Sequence, residues 1–239
     1  FDDTPALSAN ELVQISGERF DEWRTAAFSS SAGPLSRPLT MVTFALQHAL
    51  EGGFSARSLK LGNIVIHLAI AGLLFLLFRA LVAALVAQGK LRCDPGWVAA
   101  LAMGFWLLHP LHVSTVLYAV QRMAQLSTLF TVLGLLLFVR WRSRWAERGA
   151  SPQEVVAAAL WLLLVTVFAV LSKENGALLL WLVPAVEVAV YRGRWAGQQR
   201  SPLAAAGWVL LLLPLVAIAL IFWFAPETFL GGYTQRNFT

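Results

Sequence analysis

Charge and cysteine are what this sequence has least of. Only 13% of its 239 residues are charged and a single one is cysteine. A soluble domain carries about 25% charged residues, so the shortage excludes an ordinary water-soluble globule. The lone Cys93 excludes an internal disulfide. A signal-peptide pattern is missing as well, because residues 1–60 are mostly polar and offer neither a basic start nor a short apolar core. Internal repeats, low-complexity tracts and a second soluble domain are also absent from the sequence.

What fills the chain is apolar, with 58% hydrophobic residues and a mean hydropathy of +0.68. A hydrocarbon core roughly 30 Å thick is crossed by about 20 helical residues. Six stretches suit that role, from Leu61 to Val86, Gly96 to Val120, Leu126 to Arg140, Val155 to Leu171, Ala177 to Tyr191 and Leu203 to Phe224. The expected fold is therefore an all-α polytopic membrane protein. It divides into a first loop over 1–60, a six-span bundle over 61–224 and the start of a further loop over 225–239. With no methionine before Phe1 and with "GGYTQRNFT" ending in mid-loop, the chain reads as a piece of a longer protein, and another span is expected before Phe1.

Basic residues in short loops stay on the cytoplasmic side of a membrane. The loops "RWRSRWAERG" and "YRGRWAGQQR", with Arg79, Lys90 and Arg92, place ten Lys/Arg against four acids on one side. The other side has eight against nine. Net charge is thus spent on orientation, and no nucleic-acid partner is needed to explain it. The loop 1–60 then lies outside, together with the polar ends of the spans.

Within that loop, "SANE" (Ser8 to Glu11) has capping-box spacing and predicts a short helix that Gly17 ends or bends. "PLTMVTFALQHALEGG" predicts a helix over 38–51, opened by proline and closed by Gly52-Gly53. Thr40, Thr43, Gln47, His48 and Glu51 share one face of it, and Leu39, Val42, Leu46, Ala49 and Leu50 another. Too short to span, it is expected to lie amphipathically in the outer interface.

Ionisable groups at membrane depth are costly and persist when they have a function or a partner. On this topology Asp2, Asp3, Arg37, His109, His112, Arg122, Lys173, Glu174 and Arg236 gather on the outer side, with Asn63 and His67 on one helical face near the same end. Taken singly, each has a simpler explanation. Paired aspartates are solvated in loops, Lys173-Glu174 reads as a tight turn with an ion pair, and Arg37 and Arg122 as snorkelling anchors. The i,i+3 pair His109 and His112 lacks a third metal ligand fixed by spacing, so neither a metal nor another cofactor is indicated. Their concurrence on one face suits a substrate with an anionic headgroup that needs proton transfer.

The order "FDD", "RPLTMVTFALQHALEG", "LGNIVIHLAIAGLLFLL", "LLHPLHVSTVLYAVQRMAQLSTLFT" and "LSKENGALLLWLVP" resembles the membrane half of the transmembrane O-mannosyltransferases with tetratricopeptide repeats and their bacterial relatives, within the wider GT-C glycosyltransferase class. The resemblance covers nearly the whole chain. It implies a GT-C-like helical bundle that takes sugar from a polyprenyl-phosphate donor and passes it to a protein or glycan acceptor, with the site facing the periplasm of a bacterial inner membrane. It also implies that an acid in the first outer loop acts as base, which falls on Asp2, with Asp3 as neighbour or substitute; Glu174, outside that loop, is the next catalytic candidate should the pair prove dispensable. Arg37, His109, His112, Arg122, Lys173 and Arg236 then bind substrate. One departure is Ser114, where relatives commonly carry an acid after "HP-x-H". A non-catalytic assembly protein of the same fold fits that departure, and a transporter of lipid-linked substrates is the other rival, although paired broken repeats are lacking.

Overall fold

The computed structural model describes residues 7–30 and 35–193, together with seven helical positions between 212 and 224. The expected span from Leu203 to Phe224 and the segment 225–239 therefore lie largely or wholly outside the described residues. Among the described residues every regular element is helical. A 3-10 turn at Glu11–Val13 precedes α1 (Phe20–Ala27), α2 (Pro38–Glu51), α3 (Ala56–Ala87), α4 (Pro95–Leu107) and α5 (His112–Leu117). A second turn, Ala119–Gln121, leads into α6 (Arg122–Arg148), which is followed by α7 (Pro152–Ser172). The last described run is a 3-10 turn at Glu174–Leu178, α8 (Leu179–Val186) and a π-helical turn at Glu187–Tyr191.

Local chemistry explains where the helices start. Ser55 caps α3 by accepting from the Ser58 N–H, and Asp94 caps α4 by accepting from the Trp97 N–H at 2.8 Å, with Pro95 following it. At α7, Ser151 and Glu154 form a reciprocal capping box around Pro152. The box expected at Ser8–Glu11 does not form. There Asn10 precedes only a 3-10 turn and makes no side-chain cap, and the Gln14 amide donates to the carbonyls of Leu7 and Ser8. Leu7, Val13 and Ile15 are buried beneath α2, so tertiary packing overrides the local capping pattern.

Four helices are long and apolar enough to cross a membrane: Ala56–Ala87, Ala119–Arg148, Pro152–Ser172 and Glu174–Tyr191. The expected continuous span from Gly96 to Val120 is instead interrupted. Its first part, α4, has 13 residues, about 20 Å at 1.5 Å per residue and shorter than the hydrocarbon core. Pro110 cannot supply a helical N–H and turns His109 out of the helical path, so the chain breaks before α5. The broken segment still returns along α3, since the Trp106 ring stacks on His67 and the Asn63 amide donates to the Tyr118 carbonyl at 2.9 Å.

The basic loop expected on the inner side also differs from expectation. Residues 141–148, read as loop, continue α6 until Gly149 at φ +78°. Arg142 in this stretch and Glu187 in the π turn, both counted as inner-side charges, are buried as a bidentate ion pair with distances of 2.7 and 2.9 Å. The Tyr191 ring lies 4.7 Å from the guanidinium carbon, and its hydroxyl donates to the Val139 carbonyl. The pair fastens α6 to the end of α8.

Between the two ends the core is aliphatic. Ile70 and Leu74 of α3, Leu136 and Val139 of α6, Val165 of α7 and Leu179 and Val183 of α8 are buried together. A second cluster, with Met41 and Phe44 of α2 and Met123 of α6, closes one end. Here α2 runs across helix ends, because the Thr40 hydroxyl donates to the last carbonyl of α7 at Ser172 while the Gln47 side chain meets Arg122 at the start of α6. Polar residues on α2 thus turn toward protein at Thr40 and Gln47, whereas Leu46 and Leu50 point away from it.

Close helix contacts rest on two glycines. A Cβ on Gly176 would run into the backbone carbonyl of Ala169 in α7, and one on Gly134 would come within 2.5 Å of the Leu179 side chain. A Cβ on Gly72 in α3 would meet nothing within 4 Å. Gly176→Ala is therefore expected to destabilise the protein by roughly 1–3 kcal/mol, the usual scale for overpacking. Gly72→Ala should leave the melting temperature unchanged or raise it, since alanine favours a helix. Thermal unfolding of the two variants in detergent checks the contrast.

Candidate functional site

The end of the bundle crossed by α2 collects most of the residues singled out in the sequence. Arg37 is the residue before α2, and it holds a left-handed conformation, as does Ser36, at φ 49° and 54°. Such backbone costs of order 1 kcal/mol or more per non-glycine residue and persists where surrounding contacts over-determine it. The contact here is long-range. The Arg37 guanidinium pairs with Glu174 at 3.1 Å from Nη2 and donates from Nε to both carboxylate oxygens at 3.2 and 3.3 Å. Its Nη1 lies 3.2 Å from the Met123 sulfur. Glu174 is therefore paired with Arg37 across the fold, in addition to following Lys173 in sequence.

Lys173 links α7 to the 3-10 turn and is half-buried. Burial, then the nearby Arg37 charge, lowers the pKa of its ammonium, with Glu174 pulling the other way. The Ser127 hydroxyl of α6 donates to the Lys173 carbonyl at 3.4 Å and reaches the Asn175 side-chain oxygen at 3.3 Å. These contacts anchor the backbone that carries Lys173 and Glu174.

Arg122 is buried at the first position of α6. Its Nε donates to the Asn63 side chain at 3.1 Å, and its Nη2 donates to Gln47 at 2.8 Å and to the Leu59 carbonyl at 3.2 Å. The Phe44 ring covers it, with 4.3 Å from the guanidinium carbon to the ring centroid. A Cβ on Gly62 would come within 2.7 Å of Nη2, so a side chain there would make the guanidinium shift. Arg122 thus ties α2, α3 and α6 together through neutral acceptors. Asn63 completes the tie by donating to the Val116 and Tyr118 carbonyls, and Gln125 donates to that of Thr115.

The "HPLH" break forms a third group. His67, Trp106 and His112 pack ring against ring with centroids 4.5–5.2 Å apart. His109 lies 6.3 Å from His112 and is exposed, with its Nδ1 accepting from the Leu111 N–H. Ser114 is exposed and donates to the Leu111 carbonyl. Among the described residues no group of three or more His, Cys, Asp or Glu side chains is placed to hold a metal ion.

The structure therefore brings Arg37, His109, His112, Arg122, Lys173 and Glu174 to one end of the bundle. Asp2, Asp3 and Arg236 lie outside the described residues. Sequence reasoning missed Gln47, Trp106 and Met123 as partners, because only the meeting of α2, α4 and α6 gives them their neighbours.

Replacing Arg122 by lysine keeps the charge but cannot reach Asn63, Gln47 and the Leu59 carbonyl together. Each acceptor left buried and unmet costs about 1–3 kcal/mol. Arg122→Lys should lower the melting temperature clearly, and thermal unfolding beside the wild-type protein measures it.

No family model matches the chain, and no solved structure matches it. Curated relatives do. Over 201 residues the chain is 28% identical to Protein O-mannosyl-transferase TMTC4 of Homo sapiens and 29% identical to its Mus musculus counterpart, each alignment covering 80% of this chain and 26% of the relative. Protein O-mannosyl-transferase TMTC2 of Homo sapiens is 29% identical over 145 residues, 59% of this chain and 16% of that protein. The chain thus spans about a quarter of the length of the TMTC4 proteins it matches. The resemblance carried by its motifs holds along most of its length, where the chain is similar to the TMTC protein O-mannosyl-transferases.

Proposed function

We propose that the chain is the membrane part of a GT-C-type glycosyltransferase, which moves a sugar from a polyprenyl-phosphate carrier to a hydroxyl of a protein or glycan acceptor at the exoplasmic face. The observation that carries this reading is the gathering of imidazoles, cations and a carboxylate at one end of an apolar bundle. The relatives' names point to mannose as the sugar. In this reading six spans place the site at the outer face of a bacterial inner membrane, α2 lies in the outer interface, and Leu46 and Leu50 face the acyl chains.

The chemistry is a displacement at the anomeric carbon. The acceptor oxygen forms the new bond and gives its proton to a carboxylate, for which Asp2 is the candidate and Asp3 its neighbour. The bond from carbon to phosphate oxygen breaks, and polyprenyl phosphate leaves with the electron pair. Lys173 and the exposed His109 are the groups at this end best disposed to meet that growing charge, with His112 behind them and Arg236 as a further candidate. Arg37 is engaged with Glu174, so this pair's proposed part is to hold the α2 entrance against Lys173. Arg122 spends its described hydrogen bonds on protein acceptors, so its proposed part is to position α2 and the "HPLH" loop. The donor phosphate itself is left to the other cations.

The topology has a built-in probe. Cys93 is exposed in the connection between α3 and α4, which this reading places in the cytoplasm. An impermeant thiol reagent should leave Cys93 unlabelled in intact cells and label it after permeabilisation. A cysteine placed at Gly53 in a Cys93→Ser background should label from outside. The reverse pattern would turn the proposed site to the cytoplasm.

The chemical test uses the full-length protein. Asp2→Asn keeps size and removes basicity, so transfer from a polyprenyl-phosphate sugar should fall by about 10² or more, the scale of a lost general base. Affinity for the lipid donor and the melting temperature should hold. Lys173→Ala should weaken donor affinity instead. Full activity in both Asp2→Asn and Asp3→Asn would rule the pair out as base.

A further inference from the structure

At the end of the bundle away from that site, α6 and α7 meet in a notch whose lining contains three tryptophans and two arginines, Trp141, Trp145, Trp161, Arg144 and Arg148, together with Glu154. We propose that this notch binds the phosphate headgroup of an anionic phospholipid of the inner leaflet. The proposal shares the orientation of the glycosyltransferase reading and rests on residues that reading does not use.

The notch is built on a firm floor. Trp145 is buried with Val155 and Ala158, and Trp141 packs against them. Its cavity measures about 210 Å³, room for a phosphodiester while the acyl chains lie outside. Beside it the outer face of α7 exposes Leu160, Trp161 and Leu164, an apolar path for those chains. Tryptophan favours the level of the lipid headgroups, and Trp141 and Trp145, one turn apart on α6, line the notch together with Trp161 of α7.

The two arginines are not equivalent. Arg148 is already paired with Glu154 at 2.6 Å, and Glu154 also accepts from the Ser151 N–H in the capping box. Arg144 donates from Nε to the Arg140 carbonyl at 3.3 Å and makes no ion pair among the described residues. Its exposed guanidinium is thus the cation left to take a phosphate, which it can grip with two parallel N–H bonds. Arg140, one turn earlier on the same face, adds to the local positive charge. A soluble anion would use the cations but gain nothing from the tryptophans and the apolar path, so a lipid fits the whole notch. The negative inner leaflet supplies it.

The test is thermal unfolding of the detergent-solubilised full chain, titrated with phosphatidylglycerol, with phosphatidylcholine or with soluble glycerol phosphate. Phosphatidylglycerol should raise the melting temperature more than phosphatidylcholine does, and glycerol phosphate at matched concentration should not. Arg144→Gln should weaken the apparent phosphatidylglycerol affinity about tenfold, the scale of one charge-assisted contact. Arg144→Lys should keep part of that affinity, and Arg92→Gln, which removes an exposed charge elsewhere in the inner-side connections, should keep all of it. Equal stabilisation by the two lipids overturns the proposal. So does an equal loss in Arg92→Gln, which would mean surface charge alone, or full stabilisation by glycerol phosphate, which would mean a free-anion site.

Discussion

A buried guanidinium with only neutral hydrogen-bond partners organises the end of the molecule where the candidate site lies. Arg122 cannot shed its proton to escape burial, so the fold must supply acceptors, and it draws them from Gln47, Asn63 and the Leu59 carbonyl. Each acceptor belongs to a different part of the chain or a different atom type, and satisfying all three fixes where α2 crosses α3. Asn63 then has its amide free to hold the Tyr118 carbonyl, which places the interrupted segment after α4. Gly62 follows from the same demand, since any side chain there would displace the guanidinium.

The opposite end solves the same problem by another route. Arg142 faces Glu187, a carboxylate that neutralises it, under the Tyr191 ring. Removing either partner of such a pair leaves an uncompensated charge, at a cost on the order of 3–5 kcal/mol. Both arginines sit on α6, and the twenty residues from one to the other rise about 30 Å at 1.5 Å per residue. That matches the thickness of the hydrocarbon core. Between these two fastenings, beyond the buried Gln125 and Ser127 near the first, α6 buries Val132, Leu136, Phe138 and Val139 in the aliphatic core.

Much of this fold is legible in the sequence. Long apolar runs announced α3, α6, α7 and the α8 region, and proline with paired glycines bounded α2 at 38–51. What failed did so wherever a distant contact outweighed a local rule. "SANE" has capping spacing, but Leu7 and Val13 are drawn under α2, while the box that does form, at Ser151 and Glu154, stands just before the expected span from Val155. The three arginines of "RWRSRW" read as part of a basic loop. Burial of one of them against Glu187 cannot be seen without the fold. Charge pairing was misread for the same reason. Lys173 and Glu174 are neighbours in sequence, yet the carboxylate is taken by Arg37, 137 residues away.

That long-range pair also explains how a polar site is held on an apolar scaffold. Two consecutive left-handed residues, Ser36 and Arg37, raise the local energy, and the ion pair to Glu174 offsets it only if Glu174 stands still. Gly176 secures this, because its missing side chain lets the turn after α7 lie directly on Ala169. Ser127 adds a bond to the carbonyl of Lys173. The backbone of the half-buried Lys173 is thus held by close packing and by the Ser127 hydrogen bond, while His109 stands exposed beside Pro110. Close packing and hydrogen bonds at helix ends thus hold this polar cluster in place, as any preorganised site requires.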